Sequence, residues 1–234
     1  MVQRGKKYDD AYEQVDPAHE YDVSEAVSLL KDIAFANFDE AADAAFRLNV
    51  NPRHADEMVR GSLVLPHGTG QDKKVLVFAR GQKATEAEEA GADIVGDEDL
   101  VERIQEDNFL DFDVAVATPD MMGEVGKIGR ILGPRGLMPN PKSGTVSMDV
   151  ETVVNELKAG RVEFRVEKSG IIHITFGRMS FSADELEDNL RAIAEELARL
   201  KPASAKLPYF KSISISSTMS PGIKIDPGFA RDYL

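Results

Sequence analysis

Val23, Ala26, Val27, Leu30 and Ile33 recur at helical spacing behind Asp22-Val23-Ser24-Glu25, a capping-box pattern, so a helix with one apolar face is predicted here. Phe46, Leu48 and Val50 alternate with Arg47 and Asn49, and Ser62 to Leu65 is a second short apolar run; two strands follow the helix. Pro66-His67-Gly68-Thr69-Gly70 then breaks all periodicity and reads as a hinge. Beyond it the rhythm becomes strand–helix alternation: Lys74 to Ala79, a helix near Thr85 to Ala90, Asp93 to Val95, a helix near Glu98 to Gln105, and Val114 to Ala117. That alternation predicts a parallel sheet with helices on both faces, ending at the helix tail Lys158-Ala159-Gly160.

A third part opens with strands over Arg161 to Glu167 and Ile171 to Phe176, joined by Lys168-Ser169-Gly170 and read as a hairpin. Ser182-Ala183-Asp184-Glu185 is a second capping box, and Leu186, Leu190, Ile193, Leu197 and Leu200 stripe a long helix that Lys201-Pro202 stops. The stripe is too short for a coiled coil and is core. Phe210, Ile213 and Ile215 lead a strand into the small-residue turn Ser216 to Gly222, before Ile223-Lys224-Ile225. The first and third parts share mixed helix and strand character and flank a unit of another kind. The pattern therefore suggests one discontinuous domain, residues 1–67 plus 160–234, with an insertion at 68–159.

Charge sharpens this division. The chain of 234 residues has a formal net charge of −13, which would ordinarily argue against a nucleic-acid partner. Residues 1–67 hold 7 bases and 13 acids, 68–159 hold 10 and 18, and 160–234 hold 11 and 10. Twelve acids against Arg103 alone crowd Glu86 to Asp113, whereas Lys127 to Gly144 (KIGRILGPRGLMPNPKSG) has four cations, three prolines, four glycines and no acid. The segregated acid reads either as a partner-repelling face or as adaptation to high salt. In the basic stretch, the prolines are expected to hold the backbone extended. Lys127, Arg130, Arg135 and Lys142 are then either displayed to phosphates or serve to neutralise the acidic belt.

Enzyme readings find little support. His67 to Lys74 lacks phosphate-loop spacing and precedes a strand, and Gly123-x-x-Gly126-x-x-Gly129 is not the dinucleotide fingerprint; its glycines are expected to allow close helix packing. His19, His54, His67 and His173 have no metal-ligand spacing, and no G-x-S-x-G elbow is present. No cofactor is implied. With no cysteine, no apolar signal segment and no run near the ~18 apolar residues of a membrane span, a cytoplasmic protein without a membrane partner is expected. One strand face, by contrast, is dense in short hydroxyls: Ser212, Ser214, Ser216, Ser217 and Thr218 beside Lys211, groups suited to RNA sugar and phosphate or to a solvated edge.

At this point the residues resemble a known family. GRILGPRGLMPNPKSGTV from Gly129 is similar to the signature of the ribosomal protein L-one family, found in the mobile stalk of the large ribosomal subunit. RGKKY at Arg4, ANFDE at Ala36, VRGSLVLPHGTG at Val59, EAGAD at Glu89, DFDVAVATPDMMG at Asp111, KAGRVEFR at Lys158 and SSTMSPG at Ser216 resemble it in order, across essentially the whole chain, in a form similar to the bacterial branch. The resemblance implies an α/β and α+β protein of two domains: a discontinuous α+β domain (split β-α-β with hairpins) and an inserted Rossmann-like three-layer α/β domain. It further implies a non-enzymatic ribosomal constituent, monomeric when free, whose terminal domain binds large-subunit (23S) rRNA. The inserted domain would lie near the exit-site tRNA and assist its release, and the protein would repress its own operon by binding its mRNA.

Carried over by position, Phe38, Arg161, Arg165, Lys168, Lys211, Ser217, Thr218 and Met219 would touch rRNA, with Lys127, Arg130, Arg135 and Lys142 a secondary basic stretch serving stalk RNA or tRNA. Asn37 stands where the family commonly has Lys, removing one phosphate contact, and Ser220 where it commonly has Gly, which bears on the turn after Met219. In an RNA binder of this kind the acidity reads as halophilic adaptation. The alternative, resting on strand–helix alternation alone, is a phosphate- or nucleotide-binding enzyme domain.

Overall fold

A computed structural model describes residues 5–234, with the Lys142 side chain outside the described atoms, as is Arg4 of the RGKKY segment. In chain order the main elements are α1 (Lys6–Tyr12), α2 (Val23–Ile33), β1 (Ala41–Leu48), β2 (Arg60–Val64), β3 (Val75–Phe78), α3 (Gln82–Glu89), β4 (Ile94–Gly96), α4 (Glu98–Asp107) and β5 (Val114–Ala117). They continue with α5 (Met122–Val125), α6 (Gly129–Leu132), α7 (Val150–Lys158), β6 (Arg161–Arg165), β7 (Ile171–Arg178), α8 (Ala183–Arg199), β8 (Phe210–Ser217), β9 (Ile223–Ile225) and α9 (Gly228–Arg231). Two compact units result, one from residues up to Gly70 together with Val162–Leu234, the other from Gln71–Arg161.

The first unit is built on a four-stranded antiparallel sheet of order β7-β1-β8-β9. Alternate residues of each strand are buried: Ala42, Ala44, Phe46 and Leu48; Ile172, Ile174 and Phe176; Ile213 and Ile215; Ile223 and Ile225. Both helices that pack on the sheet bring the stripe their sequence announces, Val23 to Ile33 from α2 and Leu186, Leu190, Ile193 and Leu197 from α8. Each such side chain removed from water contributes about 1.5–3 kcal/mol of transfer free energy. The helix starts are fixed locally: Asp22 accepts from the Ser24 amide, and Ser182 and Glu185 form a complete capping box.

Two expectations need correction here. β1 begins at Ala41, well before Phe46, because a strand with neighbours on both sides is held by pairing, whatever the weak strand propensity of Ala41-Ala42-Asp43-Ala44-Ala45. The segments around Lys168-Ser169-Gly170 are not a paired hairpin: β6 joins β2 in a separate two-stranded sheet, while β7 joins β1. The turn thus hands the chain from one sheet to the other. Gly170 is required there, with φ of +78° and the Leu48 and Val50 carbonyl oxygens 3.3 Å from where a Cβ would lie.

The second unit is a three-layer α/β sandwich with parallel strand order β4-β3-β5. β3 is buried along its length and divides its side chains between two cores. Leu76 and Phe78 join α4 and residues Met121 to Leu132, while Val75, Val77 and Ala79 join Ala87 of α3 and Val150, Val153, Val154 and Leu157 of α7. The basic stretch is not extended. Residues 122–135 form consecutive short helical turns, α5, a 3-10 turn at Gly126–Ile128, α6 and a 3-10 turn at Gly133–Arg135, because Pro134 falls in the first turn, where its fixed φ suits a helix. Nor do the glycines of Gly123-x-x-Gly126-x-x-Gly129 serve close helix packing: a Cβ at Gly123 or Gly126 would meet nothing within 4 Å, and one at Gly129 only the Met138 thioether at 3.9 Å.

Candidate nucleic-acid interface

Within the first unit, the segments ANFDE and SSTMSPG, far apart in sequence, are joined by one carboxylate. Glu40 is only 1% exposed. One of its oxygens accepts from the Ala36 amide at 2.8 Å, the other from the Ser217 hydroxyl at 2.6 Å and the Met219 amide at 2.8 Å. Burial pushes this carboxyl up, but the three donors outweigh it and hold it below the ordinary glutamate value. The clasp is reinforced on both flanks. The Thr218 hydroxyl accepts from the Ala41 amide at 3.0 Å, and Asp39 accepts from the Ser180 amide and hydroxyl.

What the clasp displays are the side chains left outside it: Phe38 is 57% exposed and Met219 49%. An uncovered aromatic ring and a flexible thioether, on loops whose backbones are tied down, suit packing against a nucleotide. Ser220, where the resembled family commonly has glycine, fits the turn without strain. It has no positive φ, and its hydroxyl accepts from the Ser217 amide at 2.8 Å.

The clasp sits at one end of the sheet's second face. The register aligns Thr175, Asp43 and Ser216 in one row, His173, Ala45, Ser214 and Lys224 in the next, and Ile171, Arg47 and Ser212 in a third. These residues are half-buried or exposed, unlike their alternating neighbours. Seven residues of β1 at ~3.3 Å each and four strands ~4.8 Å apart make a platform on the order of 20 by 15 Å. Its chemistry is small hydroxyls, an alanine, an isoleucine, a histidine, two cations, and Asp43, whose carboxylate accepts from Thr175 at 2.5 Å. Short hydroxyls with a few cations can meet sugar 2′-hydroxyls and phosphates of a structured RNA at close range.

Lys211 lies at the far end, exposed where the β1–β8 register shifts between Arg47 and Leu48; such an irregularity turns a side chain out of the alternation. Arg165 and Lys168 are exposed at the end of β6 and in the turn that follows. Ser217 is buried and spends its hydroxyl on Glu40, so it supports the surface from beneath.

Arg161 is not brought into this company. Its guanidinium donates to Glu156 at 2.6 Å and to the Ser143 carbonyl at 2.8 Å, inside the second unit, and its side chain is 13% exposed. In the basic stretch Lys127 pairs with Glu124; Arg130 and Arg135 are exposed. Sequence reasoning missed Glu40, Asp43, His173 and Lys224. Glu40 lay within a quoted segment, but an acid in a nucleic-acid site reads as an unfavourable charge until its three donors are seen.

No group of His, Asp and Glu able to hold a metal occurs among the described residues, and no described helix is long and apolar enough to cross a membrane. At the carboxyl ends of β3 and β5, where a doubly wound sheet of this order holds nucleotides, stand the Arg80–Glu98 ion pair and Asp120, no cradle for an anion.

The sequence profile of the Ribosomal protein L1p/L10e family matches residues 30–221. The chain is 57% identical over 227 residues to "Large ribosomal subunit protein uL1" of Bifidobacterium longum subsp. infantis, covering 97% of this chain and 98% of that protein. It is 58% identical over 227 residues to the protein of the same name from Bifidobacterium animalis subsp. lactis, covering 97% and 99%. These relatives lend no support to a halophilic source. In the second unit Lys74, Arg80, Lys83, Lys127 and Lys158 each pair with a carboxylate, and the acids beyond such pairs carry its net negative charge.

Proposed function

The chain belongs to the Ribosomal protein L1p/L10e family, a non-enzymatic, cytoplasmic component of the large ribosomal subunit, and on that premise we propose that its first unit grips folded large-subunit rRNA through the open sheet face. The supporting observation is the Glu40 clasp, which fixes Phe38, Thr218 and Met219 at one end of a hydroxyl-rich platform whose other end carries Arg47 and Lys211. RNA lying along it would place its backbone over Ser212, Ser214 and Ser216, with the ring of Phe38 against a nucleotide. By the same surface the chain, monomeric when free, would bind a structural mimic in its own operon's mRNA and repress its translation. Arg130 and Arg135 of the second unit would face stalk RNA or exit-site tRNA and assist tRNA release.

Ala45→Glu tests the platform. Ala45 lies between His173 and Ser214 at its centre, and a carboxylate there would face phosphates. The expected result, in titrations with a folded large-subunit rRNA fragment, is a loss of about tenfold to a hundredfold in affinity with unchanged melting, since like charges at an interface are strongly disfavoured. Arg130→Glu should leave affinity for the same fragment within about twofold, because it removes a cation outside the main grip. Equal losses would move the grip to the basic stretch.

Thr218→Val separates support from contact. Its hydroxyl already serves the Ala41 amide, so removing it should lower stability by about 1 kcal/mol. If the same hydroxyl also donates to RNA, affinity falls as well. A stability loss with unaltered RNA affinity would restrict Thr218 to a structural part.

A further inference from the structure

The first unit also contains a groove of about 1030 Å³ lined by Pro52, Arg53, Met58 and the run Arg165 to Ser169. Its floor is apolar: Val166 is buried, its amide donating to the Val59 carbonyl at 2.9 Å, and Met58 is partly buried against the main core. Its rim is cationic. Arg53, Arg165 and Lys168 are exposed and make no ion pair among the described residues, against the single lining acid Glu167. In a chain with 41 acids and 28 bases, three unpaired cations converging on one opening are a concentration of positive charge that composition does not supply by itself.

A duplex backbone needs only a convex or flat cationic surface. A groove with an apolar floor and a cationic rim matches a different object, a base turned out of its stack with its phosphates at the mouth; ligand sites of this kind are typically about 300–1,000 Å³. Met58 and Pro52 offer a sulfur and a ring to the face of a base, and Arg53, Arg165 and Lys168 can meet the two phosphates flanking it. The opening is large enough for one or two nucleotides.

We propose that this groove is a pocket for an unpaired, unstacked nucleotide of the bound RNA, with Arg53 and Met58 as its specificity-determining residues. The inference rests on the reading of the first unit as an RNA-binding module. It adds a site for single-stranded RNA separate from the sheet face.

The test uses the full chain with three probes: a single-stranded RNA hexanucleotide carrying one 4-thiouridine, a blunt RNA duplex of the same length, and a folded large-subunit rRNA fragment. The hexanucleotide is expected to bind more tightly than the duplex and to photo-crosslink to peptides containing Pro52 to Met58 or Arg165 to Ser169. Arg53→Glu should weaken hexanucleotide binding at least tenfold, and Met58→Ala about threefold to tenfold with unchanged far-ultraviolet circular dichroism. Neither should lower affinity for the folded fragment by more than it lowers that for the hexanucleotide. Equal binding of hexanucleotide and duplex, or crosslinks confined to the sheet face, would overturn the proposal. If the chain binds the folded fragment but not the hexanucleotide, the pocket fails while the RNA-binding reading stands; binding to neither would remove both.

Discussion

Glu40→Gln is expected to lower folding stability by about 2–4 kcal/mol at neutral pH and to reduce rRNA affinity by at least tenfold. The carboxylate accepts from three donors with no solvent to replace it. A carboxamide has one accepting oxygen, and in either orientation its NH2 group would confront an N–H or O–H donor. The Ala36–Phe38 loop and the Ser217–Ser220 turn would then lose their common anchor, along with the fixed placement of Phe38 and Met219.

The pH dependence has a definite sign. Because the folded carboxyl lies below its ordinary value, its stabilising contribution is fully present above the unfolded value and is lost as pH falls through the folded one. Urea midpoints of the two proteins should thus differ most at neutral pH and converge in acid. A variant as stable as the parent, or a gap that widens on acidification, would refute the clasp.

Asn189→Leu should have the largest effect on stability, about 3–5 kcal/mol, although it is near-isosteric and Asn189 lies on α8 facing the core. The side chain is fully buried. It accepts from the His67 amide at 3.1 Å and donates to the Gly68 carbonyl at 3.0 Å and the Phe176 carbonyl at 2.9 Å, so one amide satisfies three backbone groups. Leucine would leave all three without partners. Urea denaturation reads the total, and hydrogen exchange at the His67 amide reads the loop, which should open far more readily than β7. His67→Gln is the control: it disturbs only the half-exposed contact with Asp188 and should cost under about 1 kcal/mol. Similar effects from the two would show that the loop is held by its surface and not by Asn189.

Helices α2 and α8 of the first unit were legible because their signals are local: caps at Asp22 and Ser182, and stripes that need only 3.6-residue periodicity; the short α1 and α9, with no side-chain cap and one buried residue each, were not. The parallel strands β3 and β5 announced themselves by short continuous apolar runs. The partners of β6 and β7 were not legible, since the Lys168 to Gly170 turn is consistent with both a hairpin and a handover between sheets, and only the burial of Val162, Phe164 and Val166 alongside β2 decides. The basic stretch misled for a related reason: proline and glycine density suggests an extended loop, yet a proline in a first helical turn breaks nothing.

The candidate site divides the same way. Phe38, Thr218 and Met219 were named as candidates by resemblance alone. The platform between them and Lys211 could not be named, because it exists only through the register of β1 against strands more than a hundred residues later. Arg161 shows the converse limit, a cation whose guanidinium is taken up by Glu156 and the Ser143 carbonyl within the second unit.

The separation of 177 positions between Glu40 and Ser217 also has a meaning in time. A ribosome making this chain releases β1 early and β7 and β8 late, so for most of synthesis β1 lacks both of its neighbours in the sheet and Glu40 lacks two of its three donors. The contiguous stretch from Gln71 to Arg161 has no such wait, as all its strands emerge together. Non-local pairing of this kind is slow to form, and it makes the clasp one of the last contacts the growing chain can complete. A chain truncated before Ser217 lacks two of the three donors to Glu40 and cannot close the clasp.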